Sequence, residues 1–178
     1  DITSAVHNRV QQKINSEDGN MSMKTNHVIS TDKTSVFIVH GHDSLAKIEV
    51  ARFIEKLGFT AIILHEQVSA GKTIIEKIEA NSNVGFGIVL YTPCDIGAVK
   101  EQTISLQPRA RQNVVFEHGY LIGKLGRHNV CALVKGEVEK PKDIDGVVYV
   151  EMDAHNGWQT QIAKEMKECG YPVDMNKL

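Results

Sequence analysis

The stretch VFIVHGHDSLAKIEVARFIEKLG, residues 36–58, decides the fold class. Val36 to His40 is a short, mainly apolar run, and Gly41, His42 and Asp43 interrupt it. Val50, Phe53, Ile54 and Leu57 then follow at i, i+3, i+4 and i+7, and Gly58 closes the pattern. This change of period predicts a strand, a turn and an amphipathic helix, with Asp43 as the N-cap.

Downstream the same alternation recurs. Thr60 to Leu64 reads as a second strand, and a loop through Gly71 leads to a helix containing Ile74, Ile75 and Ile78. Gly85 to Tyr91 is a third strand, apolar enough to be buried on both faces. A long loop from Thr92 to Arg111 precedes a helix that starts at Gln112. Asn129 to Val134 and Val147 to Val150 read as the fourth and fifth strands, and Trp158 to Cys169 as a last helix with Ile162, Ala163 and Met166 inward. The connection from Pro141 to Gly146 reads as irregular, with no crossover helix. Strands alternating with helices predict an α/β fold: a five-stranded parallel sheet of flavodoxin-like order 2-1-3-4-5, with helices on both faces. Ligands bind such sheets outside the carboxyl ends of the strands, between strands 1 and 3. His40 to Asp43, His65 to Lys72, Thr92 to Arg111 and the start of the following helix therefore converge on one crevice.

Upstream, Ile2, Val6, Val10 and Ile14 recur at a spacing of four, which predicts a short helix that is marginal alone. Ser16 to Ser35 has linker composition. The expected division is a helical arm and flexible linker over 1–35 and one domain over 36–178, which suits a chain of 178 residues. A net charge of -2 leaves no electrostatic footprint for nucleic acid. No run is long enough to span a membrane, and no signal-peptide pattern opens the chain. Cys94, Cys131 and Cys169 are odd in number and lack C-x-x-C spacing, so reduced thiols and a cytoplasmic location are expected. Because the first residue is Asp1 rather than methionine, a piece of a longer protein is expected.

The second informative stretch is RARQNVVFEHGYLIGKLGR, residues 109–127. On a helical period Val114, Leu121 and Leu125 share a stripe, and Glu117 falls among them. A carboxylate on a buried face must be paired, neutralised or kept for chemistry that needs it there. Asn113 is read one turn earlier on the same face. Two readings stay open: a structural glutamate tied to an arginine or a backbone amide, or a functional carboxylate in the crevice. Gly119 and Gly123 predict a flat strip against the sheet, and Gly126 a stop.

Other patterns are weaker. Gly71, Lys72 and Thr73 do not make a P-loop, because Glu66 stands where the first glycine is needed. His40 and His42 share an edge, but only Asp43 stands near them, so no metal is expected and the histidines are read as capping, pairing or pocket-lining groups. A phosphoacceptor reading fails because strand 3 runs into Tyr91, Thr92, Pro93 and Cys94 before Asp95, which suits an N-cap, turn or pocket residue better. Arg109 and Arg111 flank the crevice, where they could grip a pyrophosphate bidentately; equally, one of them could neutralise Glu117.

Taken together, VFIVHGHD (36–43), AIILHEQVSAGKTIIEK (61–77), GFGIVLYTPCDIG (85–97), PRARQNVVFEHGYLIGKLGR (108–127), VCALVKG (130–136) and DIDGVVYV (143–150) resemble the bacterial TIR-like domains of predicted nucleotide-binding proteins. These are the TIR effector domains of cyclic-nucleotide-triggered antiphage systems. The resemblance implies a flavodoxin-like TIR fold and cleavage of the nicotinamide–ribose bond of NAD+, which is substrate rather than cofactor. The products would be nicotinamide and ADP-ribose or a cyclic isomer. The family's catalytic glutamate falls on Glu117. On this reading the strand 1 turn, His40, Gly41, His42 and Asp43, holds the pyrophosphate with Arg109 or Arg111, and Thr92 and Asp95 shape the nicotinamide–ribose pocket. His118 stands where an apolar residue is expected, and Cys94 where an acid is common. The resemblance also implies self-association into an oligomer or filament, and the N-terminal arm suggests a sensor domain N-terminal to this stretch, with cyclic-nucleotide binding the first activity to test. Two alternatives remain: a nucleoside deoxyribosyltransferase-like enzyme, and a non-catalytic TIR scaffold that assembles through the loop from His65 to Lys72.

Overall fold

Alternation along β1 decides which helices cover which side of the sheet. The computed structural model describes residues 32–63, 74–80, 84–98, 100, 105–141 and 146–178. Its elements are β1 (Asp32–Val39), α1 (Ser44–Lys56), β2 (Thr60–Ile63), α2 (Ile74–Ala80), β3 (Val84–Tyr91), β4 (Asp95–Gly97), β5 (Gln107–Arg109), α3 (Gln112–Leu125), β6 (Val130–Val134), β7 (Val148–Glu151) and α4 (Gly157–Glu168). The main sheet has the order β2-β1-β3-β6-β7, with every neighbouring pair parallel. This is the expected 2-1-3-4-5 order, with β6 and β7 as the fourth and fifth strands.

On one face Val36, Ile38, Ile88, Leu90 and Leu133 meet Val50 and Ile54 of α1 and Trp158, Ile162 and Met166 of α4. Phe37, Val39, Val89, Tyr91 and Ala132 point the other way, onto Val114 and Leu121 of α3. α2 lies beside α3, where the Tyr120 hydroxyl donates to Glu79 at 3.3 Å. β3 is buried along its whole length, as a central strand covered on both faces must be. Asp43 caps α1 by accepting from the Ala46 amide at 2.9 Å, and Gly58 ends the segment with a φ of 94°. α4 is capped by Asp153, whose carboxylate accepts from the amides of His155, Gly157 and Trp158.

Several boundaries differ from the sequence reading. β1 begins at Asp32, inside the polar stretch read as linker. Its register with β3 shifts between Asp32 and Val36, and Tyr171 bridges the irregularity there. The Tyr171 hydroxyl donates to the Ser35 carbonyl at 2.8 Å and accepts from the Gly85 amide at 3.1 Å. The loop from Thr92 to Arg111 contains the antiparallel pair β4–β5, with Asp95 opposite Arg109. Gly119 and Gly123 do not face the sheet: a Cβ on either would meet nothing within 4 Å. The close approach is made by Gly87 of β3, where a Cβ would stand 3.1 Å from Leu121 Cδ1. Among the described residues no helix separates β6 from β7. Among them, too, no helix is long and apolar enough to cross a membrane. The arm over 1–31, Gly71 to Thr73 and the loop from His65 to Lys72 lie outside the described residues.

Candidate functional site

The turn after β1, the end of β3 and the start of α3 meet at the carboxyl edge of the sheet. Between them is a cavity of about 330 Å³ lined by His40, Gly41, His42, Ser44, Arg111, Asn113 and Val114. Five of the predicted residues, His40, Gly41, His42, Arg111 and Asn113, are thus brought together. The N-termini of α1 and α3 both reach it, and α3 has no side-chain cap at Arg111. The guanidinium of Arg111 contacts the His42 imidazole. Among the described residues no carboxylate lines this cavity. The uncapped start of α3, an arginine and two histidines, with no carboxylate in the lining, suit an anionic ligand.

The turn is braced from beneath by a pair that sequence reasoning did not assemble. Cys94 Sγ accepts from the His42 amide at 3.2 Å and lies 3.0 Å from Thr92 Oγ1. A Cβ on Gly41 would stand 2.7 Å from that sulfur, so any larger residue there would have to displace the Cys94 side chain. Thr92 is buried and supports the turn; it is absent from the cavity lining. His40 Nδ1 donates to the Gly41 carbonyl at 2.7 Å.

Other predicted residues lie elsewhere. The Asp43 carboxylate is occupied by the Ala46 amide and, at 2.7 Å, by Lys135 Nζ beyond the end of β6. Burial works against its charge, but those two partners hold it below the usual carboxylate range. Arg109 pairs with Glu139 and packs over Gly97, and it lines a separate cavity of about 400 Å³ with Ala110, Gln112 and Val115. Asp95 is exposed on β4. Arg109 and Asp95 therefore do not join the crevice between β1 and β3. Asn113 does line it, but as an exposed residue rather than on the buried stripe, because the first turn of α3 reaches the strand ends where nothing covers it.

Glu117 lies one turn further along α3 than Val114, on the same buried face, and is only 1% exposed. Among the described residues neither carboxylate oxygen has a hydrogen-bond partner. Arg109 and Arg111, one of which could have neutralised it, contact Glu139 and His42 instead. Burial pushes its pKa up to about 7, so both protonation states are populated at neutral pH. Beside it His118 is fully buried, with Nδ1 2.9 Å from the Tyr91 hydroxyl, and burial pushes this imidazole down to about 4. The one signal of this pairing in the sequence is a histidine in an apolar stripe; its partner could not be read there.

Residues 35–154 match the family described as CAP12/Pycsar effector protein, TIR domain. Over 143 residues the chain is 49% identical to the uncharacterized protein YuaY of Escherichia coli, covering 80% of this chain and 48% of that protein. Over 131 residues it is 40% identical to protein tirC of Dictyostelium discoideum, covering 68% of this chain and 65% of the relative. Over 133 residues it is 27% identical to CD-NTase-associated protein 12 of Niabella drilacis, covering 70% and 41%. The matched stretch is thus less than two thirds of the length of each of these three relatives.

Proposed function

This chain belongs to the TIR-domain family of CAP12/Pycsar effector proteins, and on that premise we propose that it cleaves the nicotinamide–ribose bond of NAD+. The products are nicotinamide and ADP-ribose or a cyclic isomer. The observation that carries this reading is Glu117, a buried carboxyl without hydrogen-bond partners among the described residues, one helical turn below a cavity whose charged groups are cationic.

Nicotinamide departs as a neutral ring, so the barrier lies in an oxocarbenium-like ribosyl centre. A carboxylate held away from water stabilises that centre strongly, because nothing must reorganise as the charge develops. Glu117 takes this role in its ionised form. Arg111, His42 and the uncapped start of α3 hold the pyrophosphate. Arg109 is the weaker choice for that task because Glu139 occupies it. Asp43, Thr92 and Cys94 act by fixing the turn that carries His40 and His42.

In the wider setting the protein is an antiphage effector of the cytoplasm, switched on by self-association under a cyclic-nucleotide sensor N-terminal to this domain. The family match and the Niabella relative's description as CD-NTase-associated support that setting.

Nicotinamide release from NAD+, measured at high protein concentration beside Glu117→Gln, tests the proposal. The variant is expected to fold and to release nicotinamide roughly 100-fold more slowly or not at all. Equal release by both would remove Glu117 from its role. A covalent sugar trapped with a deoxynucleoside would favour deoxyribosyl transfer, and assembly without any release would favour a scaffold.

A further inference from the structure

An unpartnered carboxyl on a buried helix face favours any roll of the helix that lets it reach water. Glu117 and His118 are consecutive, about 100° apart on α3, and flank the middle of its buried face. Packing of Val114 and Leu121 holds α3 on the sheet through many contacts that are individually small and non-directional, though collectively large. The bond from His118 Nδ1 to the Tyr91 hydroxyl is directional, and it ties α3 to the last residue of β3.

Tyr91 is itself held from the far side. Its ring meets His118 edge-on at 5.5 Å and Tyr149 of β7 edge-on at 6.1 Å. Thr92 and Cys94, which brace the His40–His42 turn, follow it within three residues of the chain. The arrangement also carries a cost, because His118 Nε2 is buried with no hydrogen-bond partner among the described residues. An apolar side chain would fill the position without that penalty, so packing alone gives no reason for a histidine.

We propose that His118 is a positioning residue: through Tyr91 it fixes the roll of α3 against β3 and so holds Glu117 on the side facing the sheet, one turn below the cavity. The inference rests on the reading of Glu117 as the catalytic carboxylate. His118 touches no substrate in this arrangement.

The experiment compares the parent with His118→Leu, Tyr91→Phe, the double variant and His118→Asn, whose amide reaches the place of Nδ1. Each apolar variant is expected to lower kcat for nicotinamide release about 10- to 100-fold with KM for NAD+ little changed. The double variant should be no worse than either single one, and His118→Asn should recover most of the loss. Because the double variant deletes both polar partners, its melting temperature should not fall, which separates positioning from stability.

Carbodiimide labelling of Glu117, read by mass spectrometry, provides a measure independent of activity. Glu117 should be protected in the parent and in His118→Asn, and labelled in the apolar variants. Parent-like kcat together with a protected Glu117 in those variants would overturn the proposal. If the parent releases no nicotinamide, labelling alone decides whether His118 holds Glu117.

Discussion

Glu117 and His118 are buried side by side, and burial acts in opposite senses on an acid and a base. Glu117 rises from 4.5 to about 7, whereas His118 falls from 6.5 to about 4. Between these values of Glu117 the unfolded chain releases a proton that the folded chain keeps, so its contribution to stability declines as pH rises, by about 3 kcal/mol in all. For His118 the unfolded chain binds a proton that the folded chain refuses, so its contribution grows as pH rises from about 4 to 6.5. In the shared window the two slopes oppose each other. Denaturant unfolding at stepped pH should therefore show Glu117→Gln gaining stability with pH relative to the parent, and His118→Leu losing it. Parallel profiles for all three proteins would show that neither group is buried as described. In the same range nicotinamide release should increase as pH passes about 7 and Glu117 ionises.

At the scale of elements, α3 leans on β3 through Leu121 and Leu125 over Gly87. Gly87→Ala forces a carbon into that contact and should cost about 1–3 kcal/mol. Gly119→Ala and Gly123→Ala meet open space and should each stabilise by about 0.5–1 kcal/mol, since alanine favours a helix interior. Urea midpoints of the three variants check this, and a reversed order would contradict the packing described. The stripe of Val114, Glu117 and Leu121 was legible because a helical period is a local property. Counting about 100° per residue from Glu117 also carries Gly119 about 200° round, so the outward place of that glycine lay in the same period. β4 and β5 were not legible, being three residues each with Pro108 inside one of them. The first residues of β1 were hidden by polar composition, and only the pairing with Val84 and the Tyr171 bridge reveals them as strand.

For the whole molecule, the functional reading sets a tight constraint: the carboxylate assigned to chemistry is closed off at 1% exposure. Substrate must gain access to it by a change of conformation, and assembly is the proposed cause. The initial rate of nicotinamide release per mole of protein should therefore increase across a 100-fold range of protein concentration, of order the gain that a population shift supplies; a flat profile would count against activation by assembly. The sequence by itself determined the alternation of strands and helices, their parallel order, the cap at Asp43 and the inward face of Glu117. These follow from repeats of about 2 and 3.6 residues and from capping chemistry, all local to the chain. Only the tertiary structure decided which arginine reaches the cavity. Arg109 and Arg111 are two residues apart, yet one ends on Glu139 and the other on His42. It also decided that Glu117 has no hydrogen-bond partner among the described residues and that His118 meets Tyr91, 27 residues away in the chain. Such pairings depend on how elements distant in sequence pack together, and no local period contains that information.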